Sequence, residues 1–341
     1  MTDRFQAITR VGPVDDLQGD VYPLAGSTHV WFDHVQRRTG DGNAKLMRAD
    51  ALAEADRMRL AGLRDDLCGL TLDQPRIMGI VNVTPDSFSD GGDRMAVGDA
   101  LAAVRGMADA DVLDIGGEST RPGADFVPDD VEISRVVPVI AAIREAGIAT
   151  PISIDTRKAA VAAAALEAGA DIVNDVSALA FDAAMAGLVA ERDVPICLMH
   201  TQGDPATMQH GPRYDDVVTE VFYQLAERID VACAAGIRRG RIIADPGIGF
   251  GKTLQHNVTL LHELALYHDL GVPLLLGASR KRTIGTIGNA PKAKDRMPGS
   301  LAVALHGAAL GAQILRVHDV RETRQALNLH LALSRGMWDD T

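Results

Sequence analysis

From Ile77 onward, short runs of Val, Ile and Leu recur at intervals that leave room for a helix between each pair. The runs are Ile77–Val83, Val112–Ile115, Ile152–Ile154, Ile172–Val173, Ile196–Met199, Ile242–Ala244, Leu274–Leu276 and Ile314–Val317. Between them lie Ala- and Leu-rich helical stretches such as Arg157–Ala168, Asp215–Ala235, Asn257–Tyr267 and Ser300–Leu310. Strands separated by helices are parallel, because each crossover must carry the chain back to the end where the previous strand began. Eight strand–helix units predict an α/β fold, a single eight-fold β/α barrel, for which about 250 residues is typical. The alternative is a doubly wound open sheet, since periodicity does not say whether the first and last strands meet.

Residues 1–75 lack this rhythm. They hold Trp31, one of two tryptophans, and a turn-like Gly40-Asp41-Gly42-Asn43 between short apolar stretches. A helical stretch follows from about Ala49 to Leu67, with Leu52, Leu60, Leu63 and Leu67 at mixed helical spacings. The predicted organisation is an N-terminal extension of hairpin plus helix over 1–75 and a catalytic barrel over 76–341.

Charge and cysteine usage narrow the function classes. Lys and Arg number 34 against 46 Asp and Glu, a net charge of −12. Such a surface argues against nucleic acid or an anionic membrane as partner and leaves small molecules. No apolar run reaches the roughly 18 residues of a membrane span. The start, Met1-Thr2-Asp3-Arg4, lacks an apolar leader segment. Cys68, Cys197 and Cys233 form a sparse, odd set with no metal-type pair. Together these predict a cytoplasmic protein.

In a β/α barrel the active site gathers at the carboxyl ends of the strands. The residues there are Asn82, Asp114, Asp155, Asn174, Met199-His200, Asp245, Ser279-Arg280-Lys281-Arg282 and Arg316-Val317-His318. Asp and Asn also cap helices well, but capping does not call for a mixture with Lys, Arg and His. Asp155, Asn174 and Asp245 offer donors and acceptors for the edge of a flat heterocycle. Lys281, Arg316 and His318 suit an anion such as phosphate. Asn82 is neutral and could hold a metal-bound water or a phosphate oxygen. A nitrogen heterocycle carrying a phosphate-type group is the ligand class implied.

Two glycine motifs fail on inspection. Asp245-Pro-Gly-Ile-Gly-Phe-Gly-Lys252-Thr253 needs glycine where Pro246 stands to be a P-loop, and Lys252 breaks the dinucleotide-binding pattern. Its glycines are expected to let the loop pass close to a ligand. No His-Glu-x-x-His zinc motif occurs. The loops after the first two strands carry Gly91-Gly92 and Gly116-Gly117 with Gly123, and are expected to close over a reactive intermediate and exclude water.

These segments resemble dihydropteroate synthases. Met78-Gly-Ile-Val-Asn82-Val-Thr-Pro-Asp-Ser-Phe88-Ser-Asp90-Gly-Gly92 is similar to the family's first signature, and Asp114-Ile-Gly-Gly-Glu-Ser-Thr120-Arg121-Pro122-Gly-Ala124 to its second. The likeness continues through Ser153-Ile-Asp155, Val173-Asn174-Asp175, Leu198-Met199-His200, the Asp245–Lys252 segment, Ser279-Arg-Lys281 and Arg316-Val-His318. It spans about residues 76–335, outside the N-terminal extension.

The resemblance implies condensation of 6-hydroxymethyl-7,8-dihydropterin pyrophosphate with p-aminobenzoate, giving 7,8-dihydropteroate and pyrophosphate. It implies that Asp155, Asn174, Asp245 and Lys281 hold the pterin, with Met199 and Phe250 packed against it. Asn82, Arg121, Arg316 and His318 would bind pyrophosphate, and Mg²⁺, held partly by Asn82, would bridge its oxygens. Asp90, Thr120 and Arg121 would act from the loops, and Phe88, Thr120, Pro122, Phe250 and Arg282 would form the p-aminobenzoate slot. Arg282 stands where many relatives have serine. The likeness also implies a homodimer. The rival readings are a methyltetrahydrofolate-binding methyltransferase domain and an inactive pterin-binding paralogue. Neither calls for both the Thr84–Phe88 loop and the Arg316/His318 cations.

Overall fold

The computed structural model describes residues 3–14, 19–39, 43–83, 93–119, 126–203 and 211–336. Its N-terminal part is richer than a hairpin and a helix. Six strands, β1 (Arg4–Ala7), β2 (Arg10–Val11), β3 (Tyr22–Pro23), β4 (Val30–Phe32), β5 (His34–Arg38) and β6 (Ala44–Arg48), precede a short helix α1 (Glu54–Ala61). They form two antiparallel sheets, in the orders β1-β5-β6 and β2-β4-β3. The expected hairpin is β5–β6, paired from His34↔Arg48 to Arg38↔Ala44. The other strands are mostly two to four residues long, too short to leave a period-two signature. Phe5, Leu24, Val30, Phe32, Val35, Leu52 and Leu60 make a small core of their own.

The helix is shorter than its leucines suggest. It stops at Gly62, whose N–H reaches Met58 O. Leu63 is left exposed, and Leu67 is spent elsewhere. Leu67 and Leu72 pack with Met78, Val112, Ile172, Cys197, Ile243, Leu275 and Ile314. These lie toward the starts of the barrel strands, so the chain closes the bottom of the barrel before entering it. Burial pushes the Cys197 thiol well above its ordinary value, which leaves it an inert packing residue.

All eight apolar runs are parallel strands: β7 (Arg76–Asn82), β8 (Val112–Gly116), β9 (Ile152–Asp155), β10 (Ile172–Asp175), β11 (Ile196–Met199), β12 (Ile242–Asp245), β13 (Leu275–Leu276) and β14 (Ile314–Val317). The order is β12-β11-β10-β9-β8-β7-β14-β13. A parallel bridge, Ala244↔Leu274, joins the two ends, with Ala244 N–H donating to Pro273 O at 2.9 Å. The sheet is a nearly closed barrel and not a doubly wound open sheet. Around it lie α2 (Asp93–Arg105), α3 (Asp129–Glu145), α4 (Ala159–Glu167), α5 (Met185–Arg192), α6 (Val217–Ala234), α7 (Leu254–His262), α8 (Arg282–Ile287), α9 (Met297–Ala309) and α10 (Val320–Arg335). The expected helix Asn257–Tyr267 divides, because α7 ends at His262 and a 3-10 segment runs from Leu264 to Leu270. Among the described residues no helix is long and apolar enough to cross a membrane.

The extension clasps that 3-10 segment. Asp269 accepts from Phe5 N–H at 2.9 Å and from Arg59 Nε at 2.8 Å, while Arg38 meets Glu263 at 2.6 Å. Asp269 is buried, so Asp269→Ala leaves the Phe5 N–H without its acceptor and Arg59 with Asp56 alone. A loss of about 1–3 kcal/mol in unfolding free energy is expected, with faster hydrogen exchange at Phe5. Unchanged denaturant melts and a protected Phe5 amide would show that the clasp contributes nothing.

Candidate active site

Alternation along the strands decides which side chains enter the barrel. Counting in twos from the bottom layer, Val112 leads to Asp114, Ile172 to Asn174, Ile243 to Asp245 and Ile314 to Arg316. An apolar floor is thereby topped by a polar layer. Arg316 organises that layer: its Nε lies 2.5 Å from Asp114 Oδ2 and its Nη2 2.6 Å from Asp155 Oδ2. Asn174 Nδ2 approaches both Asp114 oxygens, at 3.3 and 3.4 Å. Asp245 Oδ1 accepts from Gly247 N–H at 2.7 Å. The second oxygen of Asp155, Oδ1, is buried with no hydrogen-bond partner among the described residues. A buried acceptor left over in a polar layer is a natural place for a ligand's donor.

The charges answer to this crowding. Burial works against the Arg316 charge, but Asp114 and Asp155 outweigh it and raise its pKa further above the usual range. Burial raises Asp155, with Arg316 pulling the other way. It raises Asp245 too, against the pull of Lys281. Burial pushes Lys281 down to about 8, with Asp245 opposing the fall.

Lys281 is half-buried; its Nζ donates to Ile248 O and sits 4.4 Å from the centre of the Phe250 ring. The residue before it, Arg280, has a left-handed φ of 56°. That backbone is held by Ser300, whose Oγ accepts the Arg280 N–H at 2.9 Å, and by the Arg280–Asp319 ion pair, Nε to Oδ2 3.0 Å. His318, half-buried, has both its backbone N–H (3.2 Å) and its Nδ1 (3.1 Å) on Ser279 Oγ. Asn82 is half-buried at the end of β7, opposite Gly116, and its amide bonds to none of the described residues. Met199 is buried beside Asp245, Phe250 is half-buried, and Arg282 is exposed on the first turn of α8.

The structure thus brings Asp155, Asn174, Asp245, Lys281 and Arg316 to one mouth. Phe88, Asp90, Thr120, Arg121 and Pro122 lie outside the described residues. Two positions before Thr120 in the sequence, Glu118 accepts from Arg157 Nε at 3.1 Å and from the Val127 N–H at 3.1 Å. The sequence reading assigned no role to Asp114, although its place at a strand end in the same alternation marks it. Ser279 was named at a strand end without a role, and its bonds to His318 span 39 positions in the chain. Two glycines of the β12 loop allow a close approach to neighbouring backbone. A Cβ on Gly247 (φ 67°) would lie 1.9 Å from His200 O, and one on Gly251 (φ 58°) 2.6 Å from Gln202 O. They let this loop lie against the backbone after β11. Among the described residues no group of three His, Cys, Asp or Glu side chains could hold a metal ion.

A nearly closed β/α barrel with donors, acceptors and cations converging at the strand ends defines an enzyme for a flat, anion-bearing heterocycle. The family described as pterin binding enzyme matches residues 78–318. The chain is 51% identical over 269 residues to the dihydropteroate synthase of Neisseria meningitidis serogroup B, covering 77% of this chain and 94% of that protein. Dihydropteroate synthase from Xanthomonas albilineans, solved with 4-aminobenzoic acid, superimposes with a TM-score of 0.74 at 50% identity, covering 79% of this chain and 97% of that one. The same enzyme in complex with 7,8-dihydropteroate gives 0.70 at 46% identity, covering 77% and 95%. The chain belongs to the pterin-binding enzymes, in the dihydropteroate synthase family. It is a transferase, and its reaction is dihydropteroate synthesis.

The state of Lys281 makes a pH test possible. Pushed down to about 8 by burial, it is charged at neutral pH and loses that charge as the pH rises through this value. Affinity for 6-hydroxymethylpterin should therefore fall between about pH 7 and about pH 9, and Lys281→Arg, which keeps its charge, should flatten the fall. Calorimetric titration across the range checks this; a flat wild-type profile would remove the Lys281 charge from pterin binding.

Proposed function

We propose that the barrel mouth condenses 6-hydroxymethyl-7,8-dihydropterin pyrophosphate with p-aminobenzoate by the following division of roles. Asp155, Asn174, Asp245 and Lys281 hold the pterin, and Met199 and Phe250 pack against its ring. Asn82, Arg316 and His318 take the pyrophosphate, joined by Arg121. Asp90 and Thr120 act from the loops, and Phe88, Pro122, Phe250 and Arg282 line the slot for p-aminobenzoate. The observation that carries this reading is the Asp114–Arg316–Asp155 bridge, which leaves Asp155 Oδ1 buried and open to a donor.

The chemistry asks little covalent work of the protein. The C–O bond between the pterin methylene and pyrophosphate breaks, and the electron pair leaves with pyrophosphate. The methylene cation is spread over the electron-rich dihydropterin. The amine nitrogen of p-aminobenzoate then supplies the pair for the new C–N bond and gives up one proton. Carboxylates at the pterin favour the developing cation, and Lys281, Arg316 and His318 favour the departing anion. No side-chain nucleophile is needed.

Mg²⁺ fits this site in a particular way. It commonly takes one or two protein ligands and completes its shell with water and phosphate oxygens. The amide of Asn82, which bonds to none of the described residues, offers a hard oxygen donor at the strand end, and the metal would otherwise be held mainly by the substrate's oxygens. When bound, Mg²⁺ neutralises charge on the leaving group. Family likeness further supports a homodimer and a cytoplasmic setting, with 1–75 as an extension of the 76–341 catalytic barrel.

The test is pyrophosphate release by the purified chain with and without p-aminobenzoate, with dihydropteroate followed by chromatography. Product is expected only with both substrates, and chelating Mg²⁺ should abolish it. Binding of pterin without turnover would indicate an inactive paralogue, and methyl transfer from methyltetrahydrofolate to a corrinoid would indicate the methyltransferase reading. Full turnover in metal-free buffer would remove the metal role. Asp245→Ala should weaken 6-hydroxymethylpterin by about tenfold or more, since a charge-assisted bond contributes about 1.5–3 kcal/mol. Unchanged binding in the folded variant would take Asp245 out of the pocket.

A further inference from the structure

Lys252 closes the Asp245–Lys252 segment, and the reaction scheme gives it no task. It is a lysine with only 3% of its surface exposed, and it forms no salt bridge with a described residue. A buried ammonium needs partners for its hydrogens, and this one has three. Nζ lies 2.8 Å from His200 Nδ1, 2.9 Å from Phe250 O and 3.4 Å from His200 O. An ammonium carries three donors and no acceptor, so these contacts exhaust it, and none is left for a substrate.

The same bookkeeping assigns the His200 tautomer. Burial pushes Lys252 down to about 7; below that value its ammonium can only donate, so His200 Nδ1 is the acceptor and the ring proton sits on Nε2. Nε2 in turn lies 2.8 Å from Gln224 Oε1, which accepts it. Burial, with the Lys252 charge adding to it, pushes His200 down to about 3 and keeps the ring neutral. A directed chain therefore runs from α6 through the end of β11 to the loop after β12.

That loop is seated as closely as backbones allow, since Gly247 and Gly251 have no room for a Cβ against His200 and Gln202. Tyr214 adds its hydroxyl to Gly251 O at 3.0 Å. Two groups on the seated loop reach Lys281: the Ile248 carbonyl accepts from Nζ, and the Phe250 ring lies beneath it. We propose that Lys252 is a positioning residue for the pterin site. With His200 and Gln224 it locks residues 246–252 onto the end of β11, so that Ile248 and Phe250 hold Lys281 in place. This rests on the reading of Lys281 and Phe250 as pterin residues given above.

The experiment compares Lys252→Met, which keeps the volume and removes the donors, with two changes at His200. In His200→Asn the amide oxygen takes the place of Nδ1 and still accepts from Lys252; in His200→Leu nothing does. Loss of the buried bonds should weaken 6-hydroxymethylpterin by roughly tenfold in Lys252→Met and His200→Leu, with His200→Asn within about threefold of wild type. In steady state, KM for the pterin pyrophosphate should rise in the first two variants while KM for p-aminobenzoate stays nearly level. Nitrogen NMR of the wild-type His200 ring should show an unprotonated Nδ1. Wild-type affinity in a folded Lys252→Met, equal losses in His200→Asn and His200→Leu, or a protonated Nδ1 would each overturn the proposal. If Lys252→Met does not fold, the two His200 variants decide. If the wild-type protein binds no pterin, the functional reading fails, whereas the ring tautomer still reports on the lock.

Discussion

Arg316 is what allows several carboxylates to share the mouth of one barrel. Two unit charges about 4 Å apart interact by ~4 kcal/mol at an effective dielectric of about 20, so Asp114 and Asp155 would repel strongly without the guanidinium that both of them bind. The guanidinium fork meets one carboxylate through Nε and the other through Nη2, a geometry that a lysine's single ammonium does not reproduce. The consequences spread outward. Asp114 is fixed and receives Asn174, and Asp155 is turned so that one oxygen is satisfied and the other is not. Removing Arg316 would therefore do more than delete one cation, because Asp114 and Asp155 would lose the partner that holds both in place.

The second cation, Lys281, is held by different means. Arg316 is rooted in a strand, but Lys281 follows a strand of only two residues and a left-handed Arg280. Such a backbone conformation persists only where its surroundings over-determine it. Here Ser300 and Asp319 on one side and the β12 loop on the other supply the constraint. The barrel closes at this same seam, through the single bridge Ala244↔Leu274. The N-terminal extension grips the 3-10 segment leading into the seam, through Asp269 and Glu263. Its buried Arg64 adds bonds to Arg59 O and His268 O. The family match begins at residue 78, so this brace is built largely from chain outside the matched region.

How far the sequence could be read depended on the range of each interaction. A strand's inward and outward faces are local, and eight apolar runs with polar last residues were enough to place Asp155, Asn174, Asp245 and Arg316 at one mouth. Arg282 and Lys281 are neighbours in sequence yet differ in exposure, Arg282 being exposed on α8 and Lys281 half-buried. In the extension, Leu60, Leu63 and Leu67 have helical spacing, but one is buried in a local core, one is exposed, and one plugs the barrel floor.

By itself, then, the sequence determined the strand–helix alternation, the polar layer at the strand ends, and the family whose motifs that layer carries. All of these depend on residues a few positions apart. Only the tertiary structure decided what pairs with what. Barrel closure joins residues 30 apart, Ala244 and Leu274, and the bridge from Arg316 to Asp114 spans 202 positions in the chain. The role of Lys252 depends on a histidine 52 residues away whose Nδ1 faces it. Hydrogen bonds of that kind leave no period or spacing in the sequence, because their geometry exists only once the strands have packed side by side.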